Sequence, residues 1–393
     1  MSNLTNRFPN WPMATESEEK ELLETLYSNQ WWRMTGTKVK EFERVFAEMH
    51  DAKYALGVTN GTNAIDLLLK SFKVKEGDEV IVPAFTFIST ALPVMSLGAI
   101  PVPVDIDPVT FCLDPEKVRE AVTERTVGII PVHMAGHLCD MDRLLDIAGE
   151  FNLFIMEDAC HAHGGEWKGK RAGSIGDAGV FSFQQFKLMT AGEGGALITN
   201  SQELYDQAFL YHNVGRPFGD KKYQHLVEGT NYRFSEFQAA VLLPQAGRLA
   251  EQNQRRERNA QILNEEIQTI EGIVPQGRLE ACTLHTHYMY MFYYNPGKFG
   301  GISRERFVEM LNEQGIPAYI AYAQIHDTPI FKEFAASLDD SYSFPNQLDC
   351  PASKKVAEEV IWIHHRALLG DEEATRGIAQ TIREIQAGVA ARI

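Results

Sequence analysis

Lys187 sits in FSFQQFKLMTAGEGGALITN (181–200), between an apolar run and a glycine-rich turn. An ammonium group is strongly hydrated, so a lysine in such a place either snorkels to water or has a chemical task, such as condensing with a carbonyl. Two other stretches raise the same question. In VTNGTNAIDLLL (58–69) a strand ends at Asn60-Gly61-Thr62 and a helix with apolar spacing follows, which points free N–H groups and the helix dipole at one spot. That turn suits a phosphate, and it is equally an ordinary cap in which Thr62 or Asn63 satisfies the helix start. In FIMEDACHAHGG (154–165) a buried strand runs out into Glu157 and Asp158. Parallel α/β sheets gather ligands at the carboxyl ends of their strands, although acids there also serve as caps. A lysine for a Schiff base, a carboxylate to keep a ring nitrogen protonated and donors for a phosphate are together what pyridoxal phosphate requires. His161 with His163, and His285 with His287, form two histidine pairs, but neither brings a third ligand, so no metal is expected.

These side chains need a scaffold that brings strand ends to one edge. From about residue 40 to 250, helical segments such as KEFERVFAEMH and NAIDLLLKSF alternate with short apolar ones such as YALGVTN, DEVIVPAF, VGIIPVHM, FNLFIMEDA, GVFSFQQF and GALITN. The alternation predicts an α/β domain with a largely parallel sheet. Beyond about residue 250 the texture changes to a charged helix, LAEQNQRRERNAQILNEEIQTI, an aromatic strand, THYMYMFYYN, and the helical RERFVEMLNEQG. This second part reads as a smaller α+β domain, and the first thirty or so residues as an arm preceding the main sheet.

Composition limits the partners. Hydrophobic residues make up 44% of the chain and charged residues 23%, enough for two packed domains, and the formal net charge is -16. With no excess of cations to displace phosphate counterions, neither nucleic acid nor an anionic membrane is expected, which leaves small molecules and other protein chains. The N-terminus, MSNLTNRFPNWPMATESEEK, does not read as a signal peptide, and the expected location is the cytoplasm. The apolar region from Val80 to Ile106 is broken by Pro83, Pro93, Pro101 and Pro103 and suits strand, helix and strand better than a membrane span. The five cysteines are scattered and lack paired spacing, as packing residues would be.

Taken in order, GTKVKEFERVFAEMH, VTNGTNAI, VIVPAFTFIST, VPVDIDP, EDACHAHGG, FSFQQFKLMTAGEGGA and NYRFSEFQAA resemble the DegT/DnrJ/EryC1/StrS family of pyridoxal phosphate-dependent sugar aminotransferases. The resemblance implies the fold type I (aspartate aminotransferase-like) architecture: an arm over 1–35, a large α/β domain over 36–250 with a mainly parallel sheet, and a small C-terminal α+β domain over 251–393. It implies that Lys187 forms the Schiff base and shuttles the proton, that Asp158 pairs with the pyridine nitrogen, and that Phe87 stacks on the ring face. Gly61, Thr62 and Ser182 would hold the phosphate, His161 would lie near the ring's phenolic oxygen, and Asn231 would reach the phosphate of a neighbouring subunit in a homodimer with shared active sites. Each position also has a plain structural reading as core, strand or turn residue.

The same resemblance implies glutamate as amino donor and a keto or aldehyde sugar as acceptor. IWIHHRALLG and the QIH of YAQIH depart from the family's commoner C-terminal patterns, which weakens the usual nucleotide-linked hexose. The sharper expectation is an acidic sugar of lipopolysaccharide, 8-oxo-3,8-dideoxy-manno-octulosonate, converted to its 8-amino form. The alternatives are a nucleotide-linked keto-hexose, a cyclitol of the inosose or aminohydroxybenzoate kind, or a ligand sensor without turnover. An acidic acceptor would need cations, for which Arg33, Arg216 and Arg233 are candidates. Glu193, His326, Trp31 and Trp32 are further candidate neighbours, with packing or chain contact as the plain alternative.

Overall fold

A computed structural model describes residues 4–339 and 341–390 of the chain. Nine short strands form between residues 54 and 199: β1 (Tyr54–Val58), β2 (Glu79–Pro83), β3 (Ile100–Val104), β4 (Thr126–Ile129), β5 (Phe154–Asp158), β6 (Glu166–Trp167), β7 (Lys170–Arg171), β8 (Ala178–Ser182) and β9 (Gly195–Thr199). All but β6 and β7, which pair as a separate ribbon, join one sheet in the order β1-β9-β8-β5-β4-β2-β3. β2, β3, β4, β5 and β8 run parallel, whereas β9 is antiparallel to both β1 and β8. Every residue of β2, β3, β8 and β9 is buried, because helices cover both faces. One face packs Phe42, Phe46, Phe181, Phe183 and Phe234, and the other Leu67, Leu68, Val80, Val180 and Phe209. The parallel pairing of Asp158 with Val180 brings the ends of β5 and β8 to one edge.

The C-terminal part builds a second, antiparallel sheet from β10 (Ile273–Pro275), β11 (Met289–Tyr294), β12 (Ala318–Ile320) and β13 (Val360–His364), in the order β10-β11-β13-β12. Its core joins Phe292, Tyr294, Phe299, Phe307 and Ile363 to the helix Glu372–Ala390 through Ile378 and Ile382. Leu4 and Phe8, from the segment expected as an arm, are buried in this same core. The helix Glu236–Ile267 carries straight through residue 250: Ala239, Leu242 and Leu249 belong to the large core, and Ala260, Leu263 and Ile267 to the C-terminal one. Among the described residues no helix is long and apolar enough to cross a membrane.

Candidate active site

Successive side chains of a strand point to opposite faces, and at the end of β5 this separates the two acids that the sequence left equivalent. Glu157 is fully buried; its carboxylate accepts the N–H groups of Gly173, Ile175 and Gly176 at 2.7–2.8 Å and lies 2.9 Å from His133 Nε2. It clamps the turn that leads into β8. Asp158 instead lines a cavity of about 710 Å³ at the carboxyl edge of the sheet. Its Oδ2 accepts the hydroxyl of Thr90 at 2.9 Å and its Oδ1 the N–H of Cys160 at 3.2 Å.

The cavity's second polar part is the head of the helix Gly61–Ser71. Asn60 stands before it in extended backbone and its side chain accepts Asn63 N–H at 2.8 Å, so the capping residue is Asn60 rather than Thr62 or Asn63. The N–H groups of Gly61 and Thr62 then find no partner among the described residues. Two glycines keep the spot approachable. A Cβ on Gly195 would fall 2.4 Å from the carbonyl carbon of Asn60, and one on Gly61 would fall 3.0 Å from Cys160 Sγ and 3.1 Å from Ser182 Cβ.

Lys187 follows β8 in a turn whose N–H donates to Gln184 O at 2.8 Å. Its Nζ lies 4.4 Å from the ring centroid of Tyr288, and among the described residues it has no carboxylate partner. Tyr288 in turn stacks on His161 at 4.3 Å and 24°. His161 is buried with an unpartnered Nδ1, and burial together with the Lys187 charge pushes its pKa well below the usual histidine range. The lysine, the neutral imidazole and Asp158 thus share one chamber.

Seven of the eight expected site residues, Gly61, Thr62, Phe87, Asp158, His161, Ser182 and Lys187, line this cavity, as does Glu193. Ser182 Oγ accepts Gln184 N–H at 3.3 Å, and the Phe87 ring is 54% exposed at the mouth. Asn231 does not line it; it is exposed, on the loop before the helix Glu236–Ile267. Nor do the candidate cations. Arg33 is buried against Glu43 at 2.6 Å, Arg216 pairs with Asp220 at 2.9 Å, and Arg233 donates to Asn213 Oδ1 at 3.2 Å. His326, Trp31 and Trp32 also lie outside the lining. Among the described residues no three His, Cys, Asp or Glu side chains assemble a metal site.

Several cavity residues escaped the sequence reading: Thr90 on the acid, Tyr288 under the lysine, and the aromatic wall of Tyr319, Tyr322 and Trp362. Tyr319 and Trp362 are cross-strand partners on β12 and β13, stacked at 4.4 Å and 21°. The aromatic and histidine-rich stretches were visible, but only strand pairing determines which rings meet.

The groups present fit pyridoxal phosphate: open N–H donors at a helix head kept clear by glycines, a buried carboxylate, an orphaned imidazole nitrogen and an unpaired lysine. Comparison with known proteins agrees. The DegT/DnrJ/EryC1/StrS aminotransferase family matches residues 13–383. A 3-amino-5-hydroxybenzoate synthase of Amycolatopsis mediterranei (strain S699) is 43% identical over 382 residues, 96% of this chain and 97% of that protein. An L-glutamine:2-deoxy-scyllo-inosose aminotransferase of Streptoalloteichus tenebrarius is 34% identical over 402 residues, with 97% and 95% covered. The crystal structure of 3-amino-5-hydroxybenzoic acid (AHBA) synthase matches with a TM-score of 0.90 and 42% identity, covering 98% of this chain and 99% of that one. With fold, cavity and sequence in agreement, the chain belongs to the DegT/DnrJ/EryC1/StrS aminotransferase family, whose cofactor is pyridoxal phosphate.

Proposed function

We propose that this aminotransferase moves an amino group from glutamine or glutamate to a keto group on a six-membered ring, of the cyclitol or aminohydroxybenzoate-precursor kind. The observation that carries it is the meeting, in one cavity, of Lys187, Asp158 and the open head of the helix Gly61–Ser71 opposite an aromatic wall. Bound pyridoxal phosphate supplies an aldehyde that condenses with primary amines and a ring that accepts an electron pair. Gly61, Thr62 and Ser182 hold the phosphate, Asp158 keeps the ring nitrogen protonated, and Thr90 orients that carboxylate. Lys187 Nζ would anchor the cofactor and, as a free amine, would move a proton at the donor's α-carbon. His161, held neutral by burial, offers a hydrogen bond without adding charge.

Tyr319, Tyr322 and Trp362 give flat apolar faces of the sort that cyclic polyols stack on, and among the described residues no arginine lines the cavity. Both the aminohydroxybenzoate synthase and the inosose aminotransferase act on ring compounds by name, so the relatives support a ring acceptor better than the octulosonate expected from sequence. The inosose relative names L-glutamine as donor, which puts glutamine beside the expected glutamate. The exposure of Phe87 at the mouth and of Asn231 outside it suits a homodimer in which Asn231 serves the neighbouring site.

The test loads the protein with cofactor, reduces it with borohydride and maps the labelled peptide, then offers glutamine or glutamate with a panel of acceptors. Label on Lys187 and turnover of a keto-cyclitol or keto-cyclohexene carboxylate are expected. Label elsewhere sinks the lysine assignment, and turnover of an open-chain octulosonate or a nucleotide-linked hexose alone sinks the ring acceptor.

A further inference from the structure

Beneath the segment that carries Lys187 lies a buried basic cluster that the reaction described so far leaves unused. His163 Nε2 is 2.9 Å from the carbonyl oxygen of Ser182, and His365 Nε2 is 3.0 Å from that of Phe186. A carbonyl only accepts, so both Nε2 atoms carry hydrogen and donate. The two bonds grip residues 182–186 at either end, directly before Lys187. Because a neutral imidazole has one N–H, both Nδ1 atoms are bare; both are buried and have no partner among the described residues.

Arg256 lies in the same cluster. It is fully buried, donates through Nη1 to Asn253 Oδ1 at 2.9 Å, and has no carboxylate partner among the described residues. Asn253 donates in turn to the carbonyl oxygen of His163 at 2.8 Å. Burial pulls the guanidinium down to about 9, which leaves it charged at neutral pH. A buried cation without a counter-charge costs stability, and an apolar residue of similar size would be cheaper. The ionisable groups facing His163 are His50, Lys187 and Arg256, and those facing His365 are His364, His163, Arg256 and Tyr288, whose ring centroid lies 6.0 Å away. None of these is a carboxylate, so burial first, and the neighbouring positive charges after it, oppose a second proton on either ring.

We propose that Arg256 is a positioning residue: its charge, added to burial, holds His163 and His365 as neutral Nε2–H rings, whose bonds to the Ser182 and Phe186 carbonyls fix the backbone that aims Lys187. This rests on Lys187 as the cofactor lysine. The tautomers are testable without it.

The experiment is a long-range ¹H–¹⁵N spectrum of holoenzyme labelled at histidine nitrogen, followed from about pH 8 to about pH 5, with His163→Gln and His365→Gln to assign the signals. Both rings should show Nε2–H and no titration. In Arg256→Met the rings should begin to titrate within that range, and the kcat profile should gain an acid limb relative to the wild type while the KM for donor stays within about twofold. His365→Leu should lower kcat about tenfold, with His365→Gln, which keeps an N–H donor, recovering most of it.

An Nδ1–H tautomer, titration of either ring in the wild type, or unchanged histidine signals in Arg256→Met would overturn the proposal. If Arg256→Met does not fold, the wild-type spectrum and the His365 pair decide it. Borohydride label away from Lys187 would instead sink the functional reading and leave the tautomer result standing.

Discussion

The cavity has two unlike halves. Its floor comes from the large sheet and is polar and tightly specified: Asp158 at the end of β5, the helix head at Gly61, Ser182 at the end of β8 and Lys187 after it, with Gly195 at the start of β9 packed behind the helix head. Its wall comes largely from the C-terminal sheet and is aromatic: Tyr319 on β12 and Trp362 on β13, with Tyr288 and Tyr322 on the adjoining loops. Under the proposed function the floor holds the groups that the chemistry needs, so it determines the reaction type. Under the same reading the wall, which offers area and shape, selects the acceptor. Changes in the floor should therefore lower turnover for every substrate, and changes in the wall should alter the choice among substrates.

The strongest test of that division is Lys187→Ala, which should lower kcat by about 10⁴-fold or more with every acceptor while the folded state persists. Near-normal turnover would remove the floor's central residue from the mechanism. Asp158→Asn should cost about 10²- to 10³-fold in kcat and also shift the spectrum of bound cofactor; a wild-type rate would mean that some other group protonates the ring nitrogen.

Glu157→Ala sharpens the contrast within a single strand. The neighbouring acid holds three backbone N–H groups and His133, so its loss should lower stability by about 3 kcal/mol in denaturant melts. Protein that folds at low temperature should still bind cofactor. A large drop in kcat without loss of stability would mean that both acids serve the reaction.

Gly195→Ala should weaken cofactor binding about tenfold, since the added methyl displaces Asn60 and Gly61 from the phosphate position. Unchanged affinity by titration would argue that the phosphate sits elsewhere. The smallest effect belongs to the wall. Trp362→Ala should raise the KM for acceptor about threefold to tenfold, with the donor half-reaction nearly unaffected; equal losses in both half-reactions would erase the distinction between wall and floor.

The two halves also differ in how legible they were. Lys187, Asp158, Gly61, Thr62 and Ser182 stand beside glycine turns or strand ends, where a short window of sequence shows both the chemistry and the backbone geometry. The wall offers no such local signal. THYMYMFYYN and IWIHHRALLG are plainly aromatic, yet alternating rings on a strand face core and cavity in turn. Tyr319 meets Trp362 only through the β12–β13 register. Arg33, considered as a substrate cation, proved to be committed to Glu43 through a pairing ten residues along the chain that composition could not reveal.

By itself the sequence determined the alternation of strands and helices, the glycine turns and the candidate side chains beside them, since these depend on backbone preference and hydrophobic period over a few residues. It also carried the family resemblance that the fold and the relatives bear out. Only the tertiary structure decided which of two adjacent acids faces the cavity, that Leu4 and Phe8 of the arm pack into the C-terminal core, that one helix serves both cores, and that His163, Arg256 and His365 lie under Lys187. Each of those depends on contacts between residues tens to hundreds of positions apart. Such contacts are set by the pairing of whole elements, and no local pattern records them.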